Sequence, residues 1–145
     1  MINVAIDLQP LKTDFSRGRG IGLFNLQLLQ SLFGLRPPDI DFHLLDLAPD
    51  VPADLDLNHA NLHVHPYPLG PRNLVLNPRL SRFFVPRFLA AFLAGSGADV
   101  FHVTSPFDSW DIFDHRWLQG VPTVATVYDL IPFLFKDHYL KSNSA

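Results

Sequence analysis

The chain of 145 residues contains no cysteine, which excludes a disulfide framework, thiolate catalysis and cysteine-ligated zinc together. Glutamate is missing as well. All 14 acidic residues are aspartates, so a mechanism that needs a glutamate must take it from another chain or segment. Basic excess is lacking too: a net charge of −3 argues against a general nucleic-acid binder, and no nucleic-acid partner is expected. No apolar run approaches the ~20 residues that a membrane span needs. The densest, Phe83 to Gly95, is interrupted by Pro86 and Arg87. The opening MINVAIDLQP lacks a cationic start and a small-residue cleavage site, so no secretory signal is expected and the working class is a soluble cytoplasmic protein.

What is present is apolar. With 48% hydrophobic and 17% charged residues, the chain can bury the core of one compact domain. Asn3 to Leu8 reads as a buried strand. Ile21, Phe24, Leu28 and Leu32 recur at helical spacing, and Gly34 with Pro37-Pro38 ends that helix. Ile40 to Asp46 and Leu62 to Tyr67 read as strands two and three. Asn77-Pro78 starts a helix that runs to about Ala94, with Phe84, Phe88 and Phe92 on one face, Pro86 set to kink or split it, and Gly95 and Gly97 stopping it. Asp99 to Thr104 and Thr123 to Leu130 are the two clearest strands. Apolar strands alternating with helices predict an α/β, Rossmann-like parallel sheet flanked by helices. Ligands then belong at the carboxyl ends of the strands, where residues 9–20, residues 105–120 and the stretch from Tyr128 onward gather.

Charge is uneven. Residues 1–56 carry −4 and residues 99–145 carry −3, whereas residues 57–98 hold four arginines (Arg72, Arg79, Arg82, Arg87) and no acid. A basic, Phe-rich stretch over 72–94 suits peripheral contact with an anionic membrane surface; a core helix with solvated arginines is the plainer explanation.

Several constellations bear on chemistry. In Arg17-Gly18-Arg19-Gly20-Ile21-Gly22, glycines admit a ligand to the backbone, the following helix aims its positive end there, and arginines offer bidentate donors. That suits a diphosphate. The dinucleotide fingerprint is not met, because Leu23 stands where a third glycine belongs, and the turn is too long for Asp46 to act as the ribose-binding acid. His63 and His65 alternate on one strand with His43 and His59 in reach, but without cysteine or helical spacing they do not make a zinc motif, and no metal is expected. His102 sits near the carboxyl end of a core strand, placed either to serve a site or to pack within the core. Tyr128-Asp129 closes the last strand. Asp129 suits orienting a sugar hydroxyl or accepting its proton, Tyr128 donating a hydrogen bond, and capping of the next turn is the plainer alternative.

These residues resemble the N-terminal half of the family 4 glycosyltransferases, which have the two-domain GT-B fold. The resemblance runs over VAIDLQPL, RGIG before the first helix, ADVFHVTSPFD and VPTVATVYDLIPFLFKDHYL, nearly the whole chain. It is nearest to bacterial enzymes that build O-antigen, capsule or other surface polysaccharides. It implies a retaining, hexosyltransferase-type enzyme that moves a sugar from a nucleoside diphosphate sugar to a glycan or lipid-linked glycan. Residues 1–145 then supply the acceptor side, and a C-terminal domain with two glutamates binds the donor. The chain has no glutamate, so it is expected to stop short of that domain and to be inactive alone.

By the same resemblance Gly20 and Gly22 face the donor diphosphate, Tyr128 and Asp129 match a pair that is often His-Asp, and His102 is the fallback donor. Arg19 and the loop Ser105, Phe107 and Asp108 contact acceptor or phosphate. A helix dipole and basic residues stabilise the leaving phosphate without a cofactor. The alternatives are a stand-alone glycan- or partner-binding module without catalysis and a nicotinamide-dependent oxidoreductase.

Overall fold

The computed structural model describes residues 1–14, 16–48, 54–58, 61–67, 78–106, 118, 120–128 and 131–135. Its elements are β1 (Ile2–Asp7), α1 (Gln9–Lys12), α2 (Gly20–Gly34), β2 (Ile40–Asp46), β3 (Leu62–Pro66), α3 (Pro78–Ser96), β4 (Val100–Val103), β5 (Thr123–Ala125) and α4 (Ile131–Leu134). The strands form one sheet in the order β3-β2-β1-β4-β5, every neighbour parallel. This is the expected α/β, Rossmann-like architecture. The chain winds outward from β1 to β3, returns through α3, and resumes at β4 on the other side of β1. The switch in strand order therefore falls between β1 and β4.

Each face of the sheet is covered by one long helix. Ile6, Leu8, Phe42 and Leu44 pack with Leu29 and Phe33 of α2. Ala5, Leu45, Phe101 and Val103 pack with Val85, Leu89, Phe92 and Leu93 of α3. Alternation along the strands assigns successive residues to opposite faces, so both must be apolar.

Several details differ from the reading of the sequence. The buried stripe of α2 is Gly22, Asn25, Leu29 and Phe33 rather than Ile21, Phe24, Leu28 and Leu32, and Phe24 is about half exposed. This helix is apolar on most sides, so spacing alone defines two stripes. The stripe that wins carries Phe33 to Phe42, 5.2 Å between ring centres. In α3 the buried side is Val85, Leu89, Phe92 and Leu93, while Phe84 faces solvent.

The helix is not split at Pro86. Packing of the residues around Pro86 holds it, and the Arg87 guanidinium donates to the Phe83 carbonyl at 2.7 Å, in the turn that a proline disturbs. Gly95 lies inside the helix; Gly97, at φ 59°, ends it. The last strand stops at Ala125 instead of Leu130, because it is an edge strand paired only to the short β4. The loop 9–20 holds the helical turn α1, whose Gln9 N–H is capped by the Asp7 carboxylate at 2.8 Å. Asn77 lies outside the described residues.

A buried ion pair fastens that loop to β2. Lys12 Nζ lies 3.0 Å from Asp46 Oδ2 and donates also to the Ala48 carbonyl, while Asp46 Oδ1 accepts the Ala48 N–H. Both side chains are over nine-tenths buried. Removing one partner strands a buried charge, which costs far more than replacing the pair. Lys12→Met is expected to lower stability by about 3–5 kcal/mol in urea unfolding. The double variant Lys12→Met/Asp46→Asn should recover most of the loss; equal losses in both would refute the assignment.

Candidate functional site at the carboxyl ends of the strands

The carboxyl ends of β1 and β4 define the crevice, and the structure builds it from polar groups. Asp7 is fully buried at the end of β1. Thr104, the first residue past β4, donates its hydroxyl to the Asp7 carbonyl at 2.8 Å and so bridges the two strands where they would otherwise diverge. Its own carbonyl accepts from the Tyr128 hydroxyl at 2.9 Å. The Tyr128 ring meets Phe24 of α2 edge-on, with centres 5.3 Å apart. The glycine-loop helix and the segment after β5 are thereby brought to one end of the sheet.

Ser105 follows Thr104. It is 1% exposed, and among the described residues its hydroxyl, like those of Thr13 and Tyr67, has no hydrogen-bond partner. A buried hydroxyl without a partner is costly and is the kind of group that a bound molecule satisfies.

The glycine loop divides into two roles. Gly22 is buried, and its N–H donates to the Ser16 carbonyl at 3.1 Å. A Cβ at this position would run into the Ser16 carbonyl oxygen and lie 2.8 Å from Arg17 Cα. Gly22 therefore exists to let its own loop press against α2, and its amide is used by that loop. Gly20 is different: exposed, with open space around it. It is the first residue of α2, so its amide and that of Ile21 belong to the turn that the helix itself leaves unpaired. Arg19 is the exposed residue at the N-cap, and its side chain does not cap the helix.

His102 lies on the α2 side of the sheet, opposite Ile6 in the β1–β4 register. Its Nε2 is 2.8 Å from Thr126 Oγ1, which ties β4 to the residue following β5. Burial lowers its pKa, so the ring is neutral near pH 7. The Tyr128 proton is likewise committed to the Thr104 carbonyl. Both side chains thus hold bonds within the fold.

Asp129, Phe107 and Asp108 lie outside the described residues, as do His59 and Arg72. Sequence reasoning passed over Asp7 and Thr104. Asp7 carries a legible signal, an acid at the end of an apolar strand. Thr104 had none, because its partner is 97 positions away.

A cavity of about 270 Å³ lies at the opposite end of the strands, between Phe33, Phe42, Arg36, Asn58 and Asn61. Its aromatic floor belongs to the core under α2, and its polar rim gathers no titratable cluster. Among the described residues no helix is long and apolar enough to cross a membrane. In comparisons with known proteins, no family model matches the chain and no curated protein matches it.

Two outcomes follow from this geometry. Gly22→Ala should destabilise the fold by about 1–3 kcal/mol through overpacking, whereas Gly20→Ala should change it by less than about 1 kcal/mol. Urea midpoints of the two variants decide it, and equal values would show that Gly22 has no packing role. The second concerns pH. The unfolded chain takes up a proton at the ordinary imidazole pKa of about 6.5, while folded His102 resists it, so stability falls as pH drops below that value. Compared with wild type, His102→Gln should show a shallower decline between about pH 7 and pH 5; an unchanged slope would exclude His102 as a contributor.

Proposed function

We propose that this chain is the acceptor-side domain of a retaining glycosyltransferase of the GT-B kind, working in bacterial surface polysaccharide synthesis. The observation that carries the reading is the buried Ser105 hydroxyl, without a partner among the described residues, beside the switch in strand order, at the end of the sheet where the glycine loop also arrives. An acceptor glycan presents hydroxyls, the groups that such a donor and acceptor can pair with. At the head of α2, the amides of Gly20 and Ile21 and the Arg19 side chain suit the diphosphate of a nucleotide sugar held by a second domain.

In this reading Asp129 orients the reacting sugar hydroxyl, and Tyr128 and His102 hold the strand ends that carry it. The protein would supply position and charge stabilisation, and closure of a second domain would keep water from the donor. A lipid-linked acceptor fits the basic, aromatic surface of α3, where Phe83 and Phe84 are exposed and the Arg87 guanidinium lies 3.7 Å over the Phe83 ring. That surface would hold the protein at the inner face of the membrane.

The test is a titration of the purified chain with short oligosaccharides, nucleoside diphosphate sugars and NADH, followed by amide chemical shifts. Oligosaccharide should move the signals of Gly20, Ile21 and Ser105. Ser105→Ala should weaken that binding while raising stability by about 1 kcal/mol, since an unsatisfied buried hydroxyl is removed. Oligosaccharides that leave all three signals unmoved, or saturable binding of NADH at these residues, would overturn the proposal.

A further inference from the structure

Three imidazoles meet on the other side of the sheet, away from the crevice. His43 of β2 and His63 of β3 are register partners across the parallel pair, and His65 lies two residues further along β3, on the same face. The His43 and His63 rings stack with centres 4.9 Å apart, and those of His43 and His65 are 5.3 Å apart. His65 also abuts Phe92 of α3 edge-on, which fixes its ring against the apolar core. The Nδ1 of His43 and the Nε2 of His65 stand 3.1 Å apart. His63 is exposed, so the cluster opens to solvent along the β3 edge.

We infer that His43 and His65 form a two-nitrogen clamp for a late first-row divalent cation, Zn²⁺ or its imidazole-preferring neighbours Cu²⁺ and Ni²⁺, with His63 as the third ligand. Zinc–imidazole bonds of about 2.0–2.1 Å place two nitrogens of one tetrahedral ion roughly 3.3 Å apart. The 3.1 Å separation already matches that bite. Among the described residues no three ligand side chains converge as a finished metal centre. The third bond therefore comes from rotation of the exposed His63 ring, while the clamp itself stays in place.

Chemistry favours the same occupant. Three imidazoles without a thiolate select zinc, copper or nickel over magnesium or calcium. The proton now shared by the two facing nitrogens moves to the far nitrogen of its own ring, so a neutral pair binds with no net proton loss. Asp41 is near enough to act electrostatically on His43, and its carboxylate would offset the charge of the ion. Such an ion ties the edge strand to β2 and stabilises the folded form by mass action.

The chain, purified without a histidine tag and stripped with a chelator, should bind Zn²⁺ saturably near 1:1 in competition with a chromogenic chelator. Its thermal midpoint should rise with Zn²⁺ and fall back on chelation. His43→Gln and His65→Gln should each weaken binding by more than about ten-fold, the low end of what losing even a supporting group costs a metal site. His63→Gln should weaken it without abolishing it. Absence of saturable binding, or undiminished binding in both clamp variants, overturns the inference. Should those two variants fail to fold, Cu²⁺ broadening of amide signals in the wild type decides: broadening centred on residues 41–45 and 62–66 supports the clamp, and broadening centred elsewhere refutes it.

Discussion

The strand β1 sets the terms for the rest of this fold. It is hydrogen-bonded on both sides, to β2 over six residue pairs and to β4 over three, and both of its faces are covered by a helix. A parallel strand buried in this way cannot be entered or left by a tight turn; each neighbour has to arrive by a crossover. The connection leaving β1 leads to β2 and the one leaving β4 leads to β5, on opposite sides, so the loops at the carboxyl ends of these two neighbours part there. The crevice follows from this topology before any particular side chain is considered. Thr104 spans the parting strands through its bond to the Asp7 carbonyl, and Lys12 with Asp46 pins the first loop to β2.

The strands were readable because apolar runs of four to eight residues can hardly do anything else between helical segments. The boundaries of β2 coincide with the apolar run Ile40 to Asp46, and β1 and β3 fall within a residue of theirs. The facing of the helices was not readable. Glycine, asparagine, leucine and phenylalanine at 22, 25, 29 and 33 do not look more buried than isoleucine, phenylalanine and leucine at 21, 24, 28 and 32. Only the partners across the interface separate the two stripes: Phe42 needs Phe33, and the loop at Ser16 needs a position without a side chain. The same tertiary override shortened the last strand, whose valines and threonines describe a strong strand but whose neighbour offers only four residues.

At the candidate site, residue type marked Tyr128 and His102 at the carboxyl ends of the strands but did not display their partners within the fold. Tyrosine and histidine were singled out because they can donate protons, yet both hold bonds between strand ends, Tyr128 to Thr104 and His102 to Thr126. Among the described strands the outer strand β5 pairs with β4 alone, so polar contacts at its end have structural value that local sequence does not display. The glycines divide for a related reason. Gly22 answers a steric demand from its own loop, whereas Gly20 stands where the helix leaves amides unpaired.

Polar groups in this domain can therefore be sorted by whether the fold consumes them. Asp7, Lys12, Asp46, Thr104 and the Gly22 amide each have a partner inside the chain, and together they shape the mouth of the sheet. Ser105 is buried beside them with its hydroxyl unmatched. The Thr13 and Tyr67 hydroxyls are buried and unmatched too among the described residues, but Ser105 stands next to the switch in strand order, where a buried polar group of this kind is one that a bound molecule can satisfy. The same reasoning sets the three histidines apart. His43 and His65 satisfy one another in the absence of any ligand, whereas the Ser105 hydroxyl has no such partner among the described residues. The two places differ in this respect: the α3 face of β2 and β3 holds a self-satisfied pair, and the carboxyl end of β4 a buried hydroxyl unmatched among the described residues.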